Sequence, residues 1–351
     1  MKASFLLSIV LLTIASIEPP RSARGEEGVL ERLEDEIASL VGRARPLVAS
    51  IWAERREEAR AARWQRNIGS GVVLDSAGHI LTAESVIRKA ERIEVVLVVG
   101  GRVPAELIGS DPESGLAVIQ AKGTGFQSPS FGDSDRMKVG RWTLVVGNSM
   151  GVVSASSFGL ISGFREGGRW IQINARIYPG NGGAPLFDSK GHLIGIVIGE
   201  LSSPLPDPSR LGTPTAVLAI PINEARRVAQ QLIAYGEMTY GWLGVTVGPV
   251  SPSSEHQGLM VWQVVENSPA CEAGIRSGDL ILAYEGQPVG SAWELARKVR
   301  TTSVGQGVHI ELQRGARRLS IPVQIGRKPP SGRTRNLRMG CRKQSREISR
   351  R

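Results

Sequence analysis

Short apolar segments separated by turn residues recur at intervals of about ten residues from Gly69 to Ile220. Chains built from βαβ units would instead place longer amphipathic stretches between their strands. The spacing therefore predicts an all-β region, an antiparallel barrel or sandwich. The predicted strands are Gly71–Leu74, His79–Thr82, Ile93–Val98, Ala105–Ile108, Leu116–Gln120, Trp142–Val146, Ser157–Ile161, Ile171–Asn174, Leu193–Ile198 and Ala216–Ile220.

Helical periodicity is found on either side of this region. Gly28–Arg43 has apolar residues at helical spacing, which predicts an amphipathic N-terminal helix that packs on the body or on a partner subunit. Asn223–Tyr235 predicts a closing helix with Asn223 as its N-cap. Pro46–Trp52 predicts a strand, whereas the polar stretch Glu54–Asn67, rich in Arg and Ala, is interpreted as a long excursion of helical character.

Residues 241–326 form a second, α+β unit. Ser291 and Glu294 make a capping box that predicts one helix, with Leu295 and Val299 on its apolar face. The predicted strands of this unit are Gly258–Val265, Leu280–Tyr284, Val308–Gln313 and Leu319–Ile325.

The net charge of +10 is concentrated at the two ends of the chain. Residues 327–351 hold ten Lys and Arg and one acidic residue, while residues 25–326 sum to −1. The tail lacks apolar periodicity and is predicted to be disordered. We expect it to contact anionic lipid or cell-wall polymer rather than nucleic acid, because residues 1–24, with a lysine before a short apolar run, predict a signal peptide and export.

The sequence contains two cysteines, Cys271 in the second unit and Cys341 in the tail. Export permits a disulfide, but their placement favours two unpaired thiols over a structural bridge. No metal or other cofactor is expected from the residue patterns.

A glycine-rich turn lies between two of the predicted strands, from Ile177 to Phe187. Three glycines and two prolines within Pro179–Pro185 require backbone conformations or close approaches that side chains would obstruct. Such a turn often directs backbone N–H groups at a ligand.

Several stretches in the same order resemble the exported HtrA/DegP-like serine proteases, which carry PDZ domains. The resemblance covers about residues 46–326. It implies a trypsin-like double β-barrel at 46–237 and a PDZ domain at 240–326, both of which follow the helix at 25–45 in the sequence. It rests on Gly69-Ser-Gly-Val-Val-Leu-Asp75, Gly78-His-Ile-Leu-Thr-Ala-Glu-Ser-Val-Ile87, Asp111-Pro-Glu-Ser-Gly-Leu-Ala-Val-Ile119, Ile171–Leu186, Ala219–Ile222, Gly241-Trp-Leu-Gly-Val245 and Ser268–Asp279.

The resemblance assigns the three positions of the catalytic triad. In this family they hold a histidine, an aspartate and a serine, whereas this chain has Ser85, Gly115 and Gly182. Loss of the nucleophile or the base costs on the order of 10⁶ in kcat when a triad acts as a unit. His79, His192, His256 and His309 are interpreted as surface or turn residues rather than displaced bases.

Two backbone sites are implied to persist. The loop Gly180, Asn181 and Gly182 resembles an oxyanion hole, although the turn is also what the fold alone would require. In the PDZ unit, the resemblance implies that Trp242, Leu243, Gly244 and Val245 capture a terminal carboxylate, and that Leu295 and Val299 line the side-chain pocket. The alternative is that Trp242 only packs the interdomain junction.

These observations predict an exported pseudoprotease, periplasmic or secreted, that binds peptides, unfolded proteins or protein C-termini. It would act as a chaperone, a scaffold or a regulator of active homologues, as a homotrimer or in mixed assembly with them. One alternative is an active serine-type endopeptidase of protein quality control that uses non-standard residues. Another is a scaffold held at a membrane or cell wall by its tail, which would fail if deletion of residues 327–351 left the localisation unchanged.

Overall fold

A computed structural model describes residues 28–57, 60–97, 101–149, 152–201, 216–249 and 258–329. The predicted signal peptide, His256, Cys341 and most of the predicted tail lie outside these ranges. The tail begins later than expected, because Arg327 lies in a short strand and Lys328 forms an ion pair. Within the described ranges no helix is both long and apolar enough to span a bilayer.

The first half of the body is a closed six-stranded antiparallel barrel, which follows helix α1 (Val29–Ala44). Its strands pair in the order β1-β2-β3-β6-β5-β4, and a single-turn helix, α2 (Glu84–Ile87), follows β3. Closure of the sheet leaves no free strand edge in this barrel. The strand bounds are β1 Val48–Glu57, β2 Arg60–Val73, β3 His79–Ala83, β4 Arg92–Leu97, β5 Gly101–Asp111 and β6 Leu116–Ala121.

The helical interpretation of Glu54–Asn67 is wrong, because the described part of this stretch extends β1 and β2. The strands pair with Trp52 opposite Ile68 and Glu54 opposite Arg66. Arg66 forms an ion pair with Glu54 at 2.7 Å, and its guanidinium lies 5.3 Å from the centre of the Trp52 ring. These cross-strand pairs stabilise strands whose Arg- and Ala-rich composition by itself favours helix.

A second closed barrel pairs in the order β10-β11-β12-β9-β8-β7 and is followed by helix α3 (Ile222–Tyr235). The N-cap of α3 is Pro221 and not Asn223, whose side chain instead donates to Asp133 at 2.8 Å. The trypsin-like double-barrel prediction is thus confirmed. The strand bounds are β7 Trp142–Ser149, β8 Val152–Arg165, β9 Trp170–Ile173, β10 Pro185–Asp188, β11 Leu193–Leu201 and β12 Ala216–Pro221.

The last unit is a PDZ-like sheet in the order β14-β15-β16-β18-β19, so β14 is an edge strand. Its main helix begins at a cap in which the Ser291 hydroxyl accepts from the Glu294 N–H at 3.1 Å, as the capping box predicts. The elements are β13 Gly241–Trp242, β14 Val245–Pro249, β15 Leu259–Val264, α4 Pro269–Glu272, β16 Leu280–Tyr284, β17 Gln287–Pro288, α5 Ala292–Thr301, β18 Gly307–Arg314, β19 Arg317–Gln324 and β20 Gly326–Arg327.

The PDZ unit contacts the β5–β6 turn of the first barrel through charged and polar side chains. Glu113 in this turn pairs with Arg300 of α5 at 2.9 Å and with Lys328 at 2.6 Å. Tyr240, just before β13, donates its hydroxyl to the buried carboxylate of Asp111. Burial, and after it the charge of Asp111, raise the pKa of the Tyr240 phenol well above its usual range. The turn therefore joins the two units.

Cys271 is disulfide-bonded, so the expectation of an unpaired thiol at this position is wrong. The residue lies in α4, where the sequence pattern offered no geometric information about a partner. Spacing along the chain cannot predict a bridge between elements that only the fold brings together.

We expect Asp279→Asn to lower the free energy of unfolding of the PDZ unit by about 2 kcal/mol. The buried Asp279 carboxylate accepts two hydrogen bonds from Arg314, both 2.7 Å long, and the substitution removes its charge. Urea denaturation checks this, with Glu237→Gln as the control. Glu237 forms an ion pair with Arg327 at 2.6 Å, but both side chains are exposed, and its loss should cost less than about 0.5 kcal/mol. Equal effects of the two variants would contradict the prediction.

Candidate functional site

The structure brings the three positions assigned by the triad motifs to one place between the barrels. Ser85 lies in α2 and Gly115 just before β6, and these segments adjoin because the Glu84 N–H donates to the Gly115 carbonyl at 2.7 Å. Gly182 lies in the glycine-rich turn before β10. A side-chain Cβ at Gly182 would lie 3.5 Å from Val86, the neighbour of Ser85. The three segments therefore converge as the motifs predict.

The two neighbouring glycines of the turn differ sharply in the space around them. At Gly182 the only heavy atom of the described residues within 4 Å of an added Cβ, apart from its chain neighbours, is a Val86 methyl carbon. At Gly183 φ is +84°, and an added Cβ would lie 2.1 Å from the carbonyl oxygen of Ser70. Gly183 is therefore required by the backbone, whereas position 182 has room for a side chain.

Gly115 has a left-handed backbone, with φ at +76°. Apart from its chain neighbours, no described residue has a heavy atom within 4 Å of an added Cβ, so the limit at this position is conformational rather than steric. A residue with a side chain costs about 1–2 kcal/mol in this region, and Asp and Asn tolerate it best. Both carboxylates just before Gly115 are already bonded. Glu113 pairs with Arg300 and Lys328, and Asp111 accepts from the N–H of Ser114 at 2.9 Å and from the Tyr240 hydroxyl.

Ser85 is exposed, and its carbonyl accepts from the Asn67 side chain at 3.0 Å. The neighbouring Glu84 is buried and pairs with Arg88 at 2.6 Å, which raises the pKa of the Arg88 guanidinium. A pocket of about 180 Å³ beside Ser85 is lined by Asn67, Arg88 and two further arginines, Arg55 and Arg66. Each of these arginines bonds a side-chain oxygen, so the surroundings of Ser85 contain cations rather than a free base.

The loop Gly180, Asn181 and Gly182, which was predicted to resemble an oxyanion hole, has two N–H groups without an acceptor among the described residues. Among the described residues, the N–H groups of Gly180 and Gly182 donate no hydrogen bond, while Asn181 N–H is used by the Tyr178 carbonyl at 3.0 Å. Two unpaired amides separated by one residue are the arrangement that binds an oxyanion or a carbonyl.

Ser70 holds this loop in place and was missed by the sequence analysis. Its hydroxyl donates to the Gly180 carbonyl at 2.6 Å and accepts from the Asn148 N–H at 2.8 Å, and its own N–H donates to the Gly182 carbonyl at 2.8 Å. The Asn148 side chain is fully buried, with neither polar atom paired among the described residues. The Gly-Ser-Gly sequence around Ser70 was a signal, because small residues permit such close approach.

The PDZ-like unit presents an open strand edge beside its helix. Gly244 has φ at +82°, and its carbonyl accepts from the N–H of Val265, the residue after β15, at 2.8 Å. Because bonding alternates along an antiparallel pair, Val245 then directs its N–H and C=O away from β15. In the part of the chain that is described, the Leu243 and Gly244 N–H groups donate no hydrogen bond.

Leu295 and Val299 of α5, which were predicted to line a side-chain pocket, are tightly packed. Leu295 and Val299 are buried in one cluster with Leu243, and Val245 packs against this cluster. Trp242 pairs with Gly326 of β20. It therefore belongs to the short β13–β20 sheet as well as to the loop that precedes β14. A ligand side chain would enter beside Val245 by displacing part of this packing.

Comparisons with known proteins agree with both units. Residues 69–196 match the trypsin-like peptidase domain family, and residues 241–325 match the PDZ domain family. Among solved structures, the HtrA-type protease AlgW with a tripeptide has a TM-score of 0.74 and 31% identity, over 84% of this chain and 98% of its own. A serine endoprotease from Yersinia pestis has a TM-score of 0.66 and 27% identity, over 83% of this chain and 98% of its own.

Curated relatives carry the name probable periplasmic serine endoprotease DegP-like. The protein from Ectopseudomonas mendocina is 31% identical over 343 residues, which cover 93% of this chain and 69% of the relative. The protein from Brucella suis is 34% identical over 276 residues, which cover 74% of this chain and 53% of the relative. The chain therefore spans about half to two thirds of the length of these relatives.

We expect Gly182→Ser to change the melting temperature little and Gly183→Ser to lower it by several degrees or abolish folding. Only the second substitution places a Cβ against a backbone oxygen at a left-handed φ. Thermal unfolding followed by circular dichroism compares these neighbouring glycines directly. Equal destabilisation by the two variants would show that position 182 is also closed to side chains.

Proposed function

The chain belongs to the HtrA-type family of DegP-like serine endoproteases, and we propose that it is an exported, proteolytically inactive member that binds peptides through its PDZ domain. The observation that carries the proposal is the convergence of Ser85, Gly115 and Gly182. These positions correspond to the catalytic site that the resemblance implies for the family. Ser85 supplies one hydroxyl group, whereas Gly115 and Gly182 have no side chain.

Triad chemistry requires a nucleophile, a base that takes its proton and a carboxylate that orients the base. Glycine at 182 has no nucleophilic atom, and Ser85 has no basic nitrogen within its own side chain. Besides the Ser85 hydroxyl, the backbone amides of Gly180 and Gly182 are polar groups of the centre that remain available to a ligand. Such amides bind a carbonyl without cleaving it, which suits retention of a peptide in an extended groove.

The PDZ unit supports the binding half of the proposal. An edge strand with outward N–H and C=O groups accepts a peptide as an additional strand, and unpaired N–H groups in the preceding loop bind its terminal carboxylate. β14, with Leu243 and Gly244 before it, provides both features. The ligand class is therefore a polypeptide with a free, apolar C-terminus.

One observation favours the second candidate, residual endopeptidase activity with non-standard groups. The amide pair at Gly180 and Gly182 would stabilise an oxyanion, and such a hole alone gives at most about 10³–10⁴ over water. The relatives carry the name serine endoprotease, and hydrolysis of casein by the natural protein tests this candidate.

Location and assembly follow from the same proposal. The named relatives are periplasmic, which agrees with export by a leader at residues 1–24. We propose that the protein acts as a chaperone, a scaffold or a regulator of active homologues, in a homotrimer or a mixed assembly. The basic residues beyond 328 would add attraction to anionic lipid or cell wall, with an affinity that falls as salt rises.

We expect the natural protein and Gly182→Ser to leave unfolded casein intact, and Ser85→His/Gly115→Asp/Gly182→Ser to cleave it. The single variant lacks a base, whereas the triple variant restores all three groups at positions that adjoin. Release of fluorescent fragments from labelled casein measures the rate.

The matched control is Ser85→His/Gly115→Asp/Gly182→Ala, which has the same base and carboxylate but no nucleophile and should be inert. Cleavage by the natural protein at a rate proportional to its own concentration would overturn the inactive assignment. The search would then turn to a nucleophile outside these positions.

We expect Val245→Pro to weaken binding of a C-terminal peptide about tenfold or more, because proline removes the N–H that faces the open edge of β14. Val245→Thr keeps the N–H and serves as the control. The probe is a fluorescein-labelled Ser-Gly-Ser-Val-Val-Val peptide with a free carboxylate, followed by fluorescence anisotropy. Equal binding of the same peptide with a C-terminal amide would contradict capture of the carboxylate.

A further inference from the structure

A cleft of about 830 Å³ lies between the second barrel and helix α5 of the PDZ unit. The barrel contributes the turn around Arg169 and the face of α3 that holds Arg227. Helix α5 contributes Trp293, Arg297 and Arg300. This volume lies within the range of protein sites that bind peptides or comparably large small molecules.

The two faces of α5 serve different sites. Leu295 and Val299 point into the PDZ core, beside the predicted peptide groove. Trp293, Arg297 and Arg300 follow a spacing of four and three residues, which places them together on a separate face. The cleft and the PDZ groove therefore share a helix but not a surface.

Aromatic rings and a guanidinium form one wall of the cleft. The Arg169 guanidinium lies 4.8 Å from the centre of the Trp170 ring and 5.8 Å from that of Trp293. The Trp293 ring packs directly against Gly167. A Cβ added at Gly167, where φ is +67°, would lie 2.2 Å from this ring. The barrel turn and α5 thus fit together closely, and the wall is built from both units.

The cations that line the cleft are unevenly paired. Arg169 pairs with Glu166 at 3.2 Å, Arg227 with Glu224 at 2.7 Å and Arg300 with Glu113 at 2.9 Å. The hydrogen bond and charge of Glu224 outweigh the effect of burial and raise the pKa of Arg227. These three are matched by carboxylates and hold the walls in position.

Three donors remain without an anionic partner. Lys298 bonds the neutral side chain of Gln287, and Arg297 forms no ion pair within the described ranges. The Trp293 indole nitrogen is buried and donates to no acceptor among the same residues. Two carboxylates line the cleft, and Glu224 is already paired with Arg227. Asp135, on the opposite side, forms no ion pair among the described residues, so the three unpaired donors outnumber this one carboxylate.

We propose that this interdomain cleft is a second binding site, which takes an acidic peptide segment. Carboxylates of Asp or Glu would pair with Arg297 and Lys298, since charge-assisted bonds to such groups are the strongest available here. The aromatic wall would hold an apolar side chain of the same segment. A ligand seated there contacts both units and so favours the observed contact between them.

The choice of a peptide over a compact anion follows from the shape and lining of the site. Met137, Phe164, Trp170 and Trp293 give the cleft a large apolar share that inorganic phosphate would leave unused. Since the segment binds by its side chains, it needs no free C-terminus, in contrast to a PDZ ligand.

The test uses isothermal titration of the purified protein with Ac-Glu-Glu-Phe-Glu-Glu-NH₂, whose blocked end excludes the carboxylate loop of the PDZ unit. Binding is expected, with no binding of Ac-Lys-Lys-Phe-Lys-Lys-NH₂. Arg297→Glu/Lys298→Glu should raise the Kd about tenfold or more. The matched control Arg317→Glu/Arg318→Glu changes the charge equally on β19, away from the cleft, and should change the Kd less than about twofold.

An equal rise of the Kd in the two double variants would show that only the overall charge of the protein matters, and would overturn the proposal. Absence of binding at about millimolar peptide would overturn it as well. Tighter binding of inorganic tripolyphosphate than of the acidic peptide would reassign the site to compact anions. If Arg297→Glu/Lys298→Glu fails to fold, Arg297→Ala with the same peptide decides. The anisotropy experiment on Val245 reports separately on the PDZ groove.

Discussion

Backbone contacts between Ser70 and the turn at Gly180 to Gly182 hold the centre of this molecule together. Ser70 belongs to the first barrel and the turn to the second, and three hydrogen bonds of 2.6–2.8 Å connect Ser70 with this turn and with Asn148. Because these bonds use main-chain atoms and one serine, they do not depend on the side chains at the triad positions. The position of the turn at Gly180 to Gly182 therefore does not depend on which side chains stand at positions 85, 115 and 182.

The β5–β6 turn gives the same centre a connection to the PDZ unit. It ends at Gly115 and carries Asp111 and Glu113, which bond Tyr240, Arg300 and Lys328. The segment to which the motifs assign the triad aspartate position is here a structural contact between units. Such partly buried ion pairs favour a defined orientation more than they add stability. Ser114 of this turn and Arg300 of α5 also line the interdomain cleft.

Much of the fold could be predicted because strand periodicity and turn residues are local signals. Each predicted strand from Gly71 to Ile220 and in the PDZ unit overlaps an observed strand where the chain is described, although β2 begins well before Gly71 and β10 and β14 were not predicted. Glu54–Asn67 was misread because propensity favoured helix while cross-strand pairs decided for strand. The N-cap of α3 and the pairing of Cys271 were missed because both depend on neighbours distant in sequence.

The sequence by itself determined which groups are available at each motif, namely Ser85, Gly115 and Gly182. Residue identity is a local property that no fold changes. Tertiary structure alone decided that Gly183 and not Gly182 is sterically required, that Ser70 fixes the loop and that Arg297 and Trp293 line the same cleft. Those properties arise from the approach of segments separated by tens to hundreds of residues, which spacing along the chain does not encode.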